Sequence, residues 1–214
     1  IDEPKPERTG RSGLTTHDSS RAWPGYTLCW SHGSRSARLI DIHAQEVHRW
    51  TLDRGPRWHW CDLLEDGHLL VVSSTNAYSP HQNADARLWE LDREGEVVWS
   101  DPAPCHHDAR RLPNGNTLTV CNGHAHYSDL SDRPQVYDYI QEITPENEVI
   151  WEWHFAAHTD ALEAQEEKAL PPGHGDWPHI NTIEMLPDTP LGERDSRFRG
   201  GNILVSPRHM HCIF

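Results

Sequence analysis

Hydrophobic and polar positions recur along this chain with a period of about 50 residues, a length that belongs to propeller blades or solenoid turns. Three segments carry the first half of the unit: Leu64-Glu65-Asp66-Gly67-His68-Leu69-Leu70-Val71, Leu112-Pro113-Asn114-Gly115-Asn116-Thr117-Leu118-Thr119 and Arg199-Gly200-Gly201-Asn202-Ile203-Leu204-Val205. Each is a turn followed by an alternating strand, and the Asp-Gly and Asn-Gly pairs supply the positive φ that a tight hairpin needs. The second half recurs as Gln45 to Trp50, Gly95 to Trp99 and Asn147 to Trp151, so the tryptophans Trp50, Trp99 and Trp151 follow one another at 49 and 52 residues. Each unit offers about four short strands, and radial stacking of such sheets leaves only short, protected edges. The pattern predicts an all-β fold, a β-propeller incomplete here with about three to four blades: a partial first blade, two complete ones and the beginning of a fourth. The three tryptophans are expected between adjacent blades.

The period is broken once. Gly67 and Gly115 stand 48 residues apart but Gly115 and Gly201 stand 86 apart, so the last unit carries inserts within a single domain over residues 1–214. One is expected as a helix over 159–170, started by Asp160 with Glu163 and stopped by Pro171-Pro172-Gly173. The other, near 189–200, is polar and rich in Arg and Gly, and widens a hairpin turn where the chain ends stay close.

Composition narrows the function classes. Against 33 acidic residues stand 19 basic ones, a formal net charge of −14. That field repels polyanions, so a nonspecific nucleic-acid binder is not expected. Ten Trp, 5 Tyr and 3 Phe exceed what a solvating acidic chain carries, which argues against disorder. The longest apolar stretch, Leu69 to Val72, is far short of the roughly 20 residues of a spanning helix, so no membrane span is expected. The chain opens at Ile1 without a basic-then-apolar leader, as a processed form, a fragment or a cytoplasmic chain would. Cys29, Cys61, Cys105, Cys121 and Cys212 form no CxxC pair and are expected as small buried or half-buried residues in strands.

The candidate chemistry lies in the histidines, of which there are 17. Counting back eight residues from Gly67 reaches His59, and from Gly115 reaches His107. Anchoring Leu186-Pro187 on Leu112-Pro113 puts Asn181 in the same slot, with His179 two residues earlier on the same strand face. On the inner strands of a propeller these positions converge toward the channel. Arg208 and His209 lie at the far end of the hairpin that carries His179. Histidines outside this register, such as His17, His32, His43, His48, His68, His81 and His154, are expected at the surface or in packing. Imidazoles beside a guanidinium can hold an oxyanion, and neutral imidazoles can bind a divalent metal. No HExxH pattern is present, and His106 and His107 face opposite ways on a regular strand. The oxyanion is therefore favoured, as a sulfuryl or phosphoryl group that a nucleophilic histidine passes on in two steps, with no metal or other cofactor.

Four segments share a further likeness: Trp23-Pro24-Gly25-Tyr26-Thr27-Leu28, His106-His107-Asp108 running into Leu112-Pro113-Asn114-Gly115-Asn116, Trp177-Pro178-His179-Ile180-Asn181-Thr182-Ile183, and Gly201-Asn202-Ile203-Leu204-Val205-Ser206-Pro207-Arg208-His209. Together they resemble the bacterial arylsulfotransferases, the PAPS-independent aryl-sulfate sulfotransferase family. That resemblance implies a six-bladed β-propeller that moves a sulfuryl group from a phenolic sulfate ester to a phenol through a sulfohistidine. It implies that His107, with His106 as the adjacent alternative, and His179, Asn181 and Arg208 hold and polarise the sulfate. His107, His179 and Arg208 are thus the candidate catalytic residues, and His59, His106, Asn181 and His209 the candidate substrate-binding ones. Two departures stand out. Pro207 occupies a position where the family has Ser, and the nucleophilic histidine belongs to a later blade, beyond Phe214. The expectation is an N-terminal piece that binds an aryl sulfate without turning it over, in a periplasmic or secreted protein by resemblance. The competing classes are a noncatalytic propeller scaffold and a His-rich, metal-dependent lyase or hydrolase.

Overall fold

The glycine turns read from the sequence close as hairpins. The N–H groups of Gly67, Gly115 and Gly201 donate to the carbonyls of Leu64, Leu112 and Leu186, each at 2.9 Å, with φ of 87°, 88° and 85°. The computed structural model describes residues 13–74, 85–125, 135–158, 176–210 and 212–213. The helix expected over 159–170 lies outside the described residues.

Four antiparallel sheets follow one another along the chain. The first holds β1 (Tyr26–Trp30), β2 (Ser36–Asp41) and β3 (Glu46–Thr51). The second is a four-stranded meander of β4 (Trp58–Leu63), β5 (Leu69–Ser73), β6 (Arg87–Leu91) and β7 (Val97–Asp101). The third runs β8 (Cys105–Arg111), β9 (Thr117–Ala125), β10 (Gln135–Ile143) and β11 (Val149–His154). A two-residue strand, β12 (Asp176–Trp177), joins it parallel to β10. The fourth is the hairpin of β13 (Ile180–Met185) and β14 (Ile203–Pro207). The protein is all-β, with blade-like sheets arranged as an incomplete propeller. Helix among the described residues is limited to short 3-10 turns such as Phe155–His158 and Arg208–Met210.

The hydrophobic cores lie between sheets. In β5, Leu69 and Val71 pack toward the first sheet with Ala37, Trp50 and Trp58, whereas Leu70 and Val72 pack toward the third with Ala109 and Cys121. Period-two alternation thus places one strand's side chains in two cores, which is why β5 reads as a continuous apolar run. The next core joins Leu118, Val120 and Ile140 of the third sheet to Ile180, Ile183 and Val205 of the fourth. Three of the five cysteines, Cys61, Cys105 and Cys121, are buried in these cores, and burial pushes the Cys61 and Cys105 thiols up to about 12.

Trp50 and Trp99 bridge sheets as the repeat requires. The indole N–H of Trp50 donates to the Asp92 carbonyl in the β6–β7 turn, and that of Trp99 to the Pro145 carbonyl in the β10–β11 turn, both at 3.0 Å. Trp151 departs from the expectation: it is 39% exposed at the same place on β11. The sheet that follows contributes β13 and β14, and no outer hairpin covers the Trp151 face among the described residues. Residues 187–200 leave and rejoin the β13–β14 hairpin at one rung, where the Leu186 N–H donates to the Asn202 carbonyl at 2.8 Å. Within that loop Asp195 caps a 3-10 turn, Ser196–Phe198, by accepting from the Arg197 N–H.

Candidate functional site

The inner strands lie next to one another, β4 against β8 and β8 against β13, and each is irregular at the same place. Register shifts fall between Trp58 and Trp60 in β4, between Cys105 and Ala109 in β8, and between Ile180 and Thr182 in β13. His59, the pair His106 and His107, and Asn181 are therefore all bulge residues. A bulge adds a residue that is left out of the ladder and re-aims its side chain, which is how a strand presents a group that simple alternation would hide.

The outcome is a row of imidazoles across three sheets. Ring centroids of His59 and His107 lie 6.4 Å apart, those of His107 and His179 4.8 Å, and those of His179 and His209 5.6 Å. At the centre the two Nε2 atoms of His107 and His179 approach to 2.9 Å. An N···N contact of that length needs a proton on one nitrogen and a lone pair on the other, so the two rings share one Nε2 proton. Both residues have left-handed backbone, with φ of 60° for His107 and 61° for His179. Non-glycine residues enter this region only where their surroundings hold them there.

His106 departs from the alternation argument. Instead of turning to the opposite face, its ring packs edge-on against His107 at 4.9 Å and lies 6.3 Å from His179. The positive φ at His107 breaks the period-two geometry. His106 is buried, with Nε2 3.0 Å from Oδ1 of the buried Asp138 on β10. The other oxygen of Asp138 accepts the Ile180 N–H. Asp108, next along β8, is also buried, and its Oδ2 accepts from the Thr182 hydroxyl at 2.5 Å and from the Ile183 N–H at 3.0 Å. Burial raises the Asp108 carboxyl above its usual range, against the opposing hydrogen bonds and the Arg110 charge. Two carboxylates of the third sheet thus grip the backbone of β13, and Arg110 adds a third tie by donating to the Ile183 carbonyl at 3.1 Å.

Arg208 and His209 enter through the 3-10 turn after β14. The Arg208 N–H donates to the His179 carbonyl at 2.8 Å and the His209 N–H to the Pro178 carbonyl at 3.2 Å, while the Arg208 side chain is exposed. Asn181 is exposed as well, beside the buried Ile180. The structure therefore brings His59, His106, His107, His179 and His209 into one row and sets Arg208 beside it through the backbone of His179.

Sequence reasoning missed three residues. His32, expected at the surface or in packing, lies 4.6 Å from His59 ring to ring, because the turn that carries it is laced to β4 by Gly33 N–H to Trp58 O and Trp58 N–H to Ser34 O bonds. No repeat register includes that turn. Asp108 and Asp138 are the other two. Asp138 stood out in principle, since it shares a strand face with Val136 and Ile140 and is a charged residue in an apolar row. His59 is pushed down from its ordinary value, first by burial and then by repulsion from the neighbouring imidazoles of His32 and His106.

A metal would find a trio elsewhere. Asp66, His68 and Glu90 gather their ligand atoms within 4.8 Å of one another. They are already engaged: His68 Nδ1 is 2.7 Å from Glu90 Oε1, and Arg111 holds the other Glu90 oxygen. That hydrogen bond raises the His68 imidazole.

The arylsulfotransferase (ASST) family model matches residues 46–214, which include every sheet of the site. No curated protein matches the chain. Among solved structures, a protein of unknown function from Bacteroides caccae is similar at 16% identity, with a TM-score of 0.45, over 88% of this chain and 52% of that one. The chain thus spans about half the length of that protein. With the family match running through β4, β8, β13 and the histidine row they carry, this chain belongs to the arylsulfotransferase family.

Proposed function

We propose that His107, His179 and Arg208 hold the sulfuryl group of an aryl sulfate ester, in a centre that transfers it to a phenol by way of a sulfohistidine. The observation that carries this reading is the 2.9 Å Nε2 contact between His107 and His179, with Arg208 bonded to the backbone of the latter. In this pair the ring whose Nε2 accepts carries its own proton on Nδ1 and can donate it to a sulfate oxygen, and a guanidinium offers two parallel donors to the same tetrahedral group. In the first half-reaction the S–O bond to the aryl oxygen breaks, an N–S bond forms and the phenolate leaves. In the second, the acceptor phenol oxygen attacks sulfur, gives up its proton and restores the imidazole. By family likeness the attacking imidazole belongs to a blade after β14, so the residues named here bind and polarise the group. His59, Asn181 and His209 line the approach, while the buried His106 packs against His107.

The test is direct binding of 4-nitrophenyl sulfate to the chain, with transfer to a phenol measured alongside without added metal or nucleotide. Arg208→Lys and His179→Ala should each weaken binding about tenfold or more, since charge-assisted hydrogen bonds are lost. Where turnover occurs it should fall by on the order of 100-fold. His17→Ala, far from the row, should match the unaltered protein. Equal affinity in both site variants removes Arg208 and His179 from the reading. A chain that binds no aryl sulfate favours the noncatalytic scaffold, and dependence on added metal favours the hydrolase class.

A further inference from the structure

Asp138 touches the chain neighbours of both histidines in the central contact. His106 precedes His107, and Ile180 follows His179. Oδ1 of Asp138 lies 3.0 Å from Nε2 of His106, and Oδ2 accepts the N–H of Ile180. We infer that Asp138 is the positioning residue of this centre: one buried carboxylate fixes His106 as the Nε2–H tautomer and, through Ile180, holds His179 against His107. The inference deepens the sulfuryl-transfer reading and rests on it for the effect on transfer.

The chemistry of the donor set leads there. A carboxylate oxygen accepts, and Asp138 is fully buried with each oxygen against a nitrogen, so each needs a donor. Oδ2 has the Ile180 N–H. Oδ1 faces Nε2 of His106, which must then carry the proton, because the other neutral tautomer would set a lone pair against the carboxylate. Among the described residues the buried Nδ1 of His106 has no hydrogen-bond partner, which fits a bare lone pair there. Neither His107 nor His179 rests in an intrinsically favoured backbone conformation, with φ of 60° and 61°. Such geometry persists where neighbouring contacts over-determine it, and Asp138 supplies one contact on each side, reaching 32 residues back along the chain and 42 forward.

Asp138→Asn separates this role from plain core hydrogen bonding. The amide oxygen can still accept from Ile180, but the amide N–H₂ now faces His106 Nε2 and forces its proton to Nδ1, an inversion known to disable carboxylate-oriented imidazoles. The measurement is ¹⁵N NMR of the histidine rings in the unliganded full chain, including the coupling across the His107 N–H···N His179 contact. The unaltered protein should show His106 protonated at Nε2 and a detectable central coupling. Asp138→Asn should invert the His106 pattern and weaken the coupling, and Asp138→Ala should abolish the coupling. Turnover should fall by on the order of 100-fold in the Asn variant, the size expected when reacting groups are displaced by about 1 Å. A wild-type His106 protonated at Nδ1 overturns the proposal even if neither variant folds. So does a central coupling that survives in both variants. Lack of transfer in the unaltered protein counts against the sulfuryl reading alone, since tautomer and coupling are read without substrate.

Discussion

At the scale of single residues, the site is shaped by what burial does to charge. His59 sits with its imidazole partly desolvated beside two other imidazoles, and its folded-state value lies below the ordinary 6.5. The sign of the linkage follows. Between the lowered folded value and 6.5 the unfolded chain binds more protons at this position than the folded one, so stability rises with pH through that window and is lost as pH falls. His68 works in the opposite sense: its raised value stabilises the fold below the unfolded value, and the contribution disappears as pH climbs through the folded one. It is partly exposed, so screening keeps its share small. His59→Gln should therefore flatten the acid limb of the stability curve below pH 6.5, read from urea midpoints at several pH values. A slope unchanged by the substitution means that His59 is solvated in the folded protein.

Among elements, the hairpins were legible in the sequence and the bulges were not. Gly67 and Gly115 mark turns because only a residue without Cβ accepts φ near 87° or 88° at no steric cost, and the apolar runs beside them mark strands with two buried faces. The same glycines gave the register that brings His59 and His107 near each other. Alternation then misled at His106, because a bulge with left-handed backbone at His107 suspends the period-two rule. The contact from Asp138 to His106 had no local signal, since it joins strands 32 residues apart in sequence. The indole latches were legible in part. Trp50 and Trp99 each donate to a turn carbonyl of the next sheet, while Trp151 stands partly exposed. Trp50→Phe and Trp99→Phe should each cost about 1 kcal/mol, the net value of one such hydrogen bond, and Trp151→Phe close to nothing. Chemical denaturation of the three variants checks the ranking, and an equal cost at Trp151 would show that its indole is covered in solution.

For the whole molecule, the arrangement of cores and site has one origin. Every core cluster joins two successive sheets, and the imidazole row crosses the same seams: His59 from the second sheet, His107 from the third, His179 and His209 from the fourth. Any anion gripped by that row is bound by several blades at once and by none of them alone. Binding then acts as a clasp on the assembly, because a ligand with affinity only for the joined sheets shifts the equilibrium away from their separation by RT ln(1 + [L]/Kd), about 2.7 kcal/mol at one hundred times Kd. Protection of β13 amides against hydrogen exchange should rise with aryl sulfate concentration along that curve, while amides of β3, the strand of the first sheet on the far side from β1, should not respond. Equal protection in both strands would mean that the ligand acts on the protein as a whole. On the proposed reading the seam is thus where recognition and cohesion become one quantity: a substitution that loosens the packing of the third sheet on the fourth should register as weaker substrate affinity, even when it touches no residue of the row.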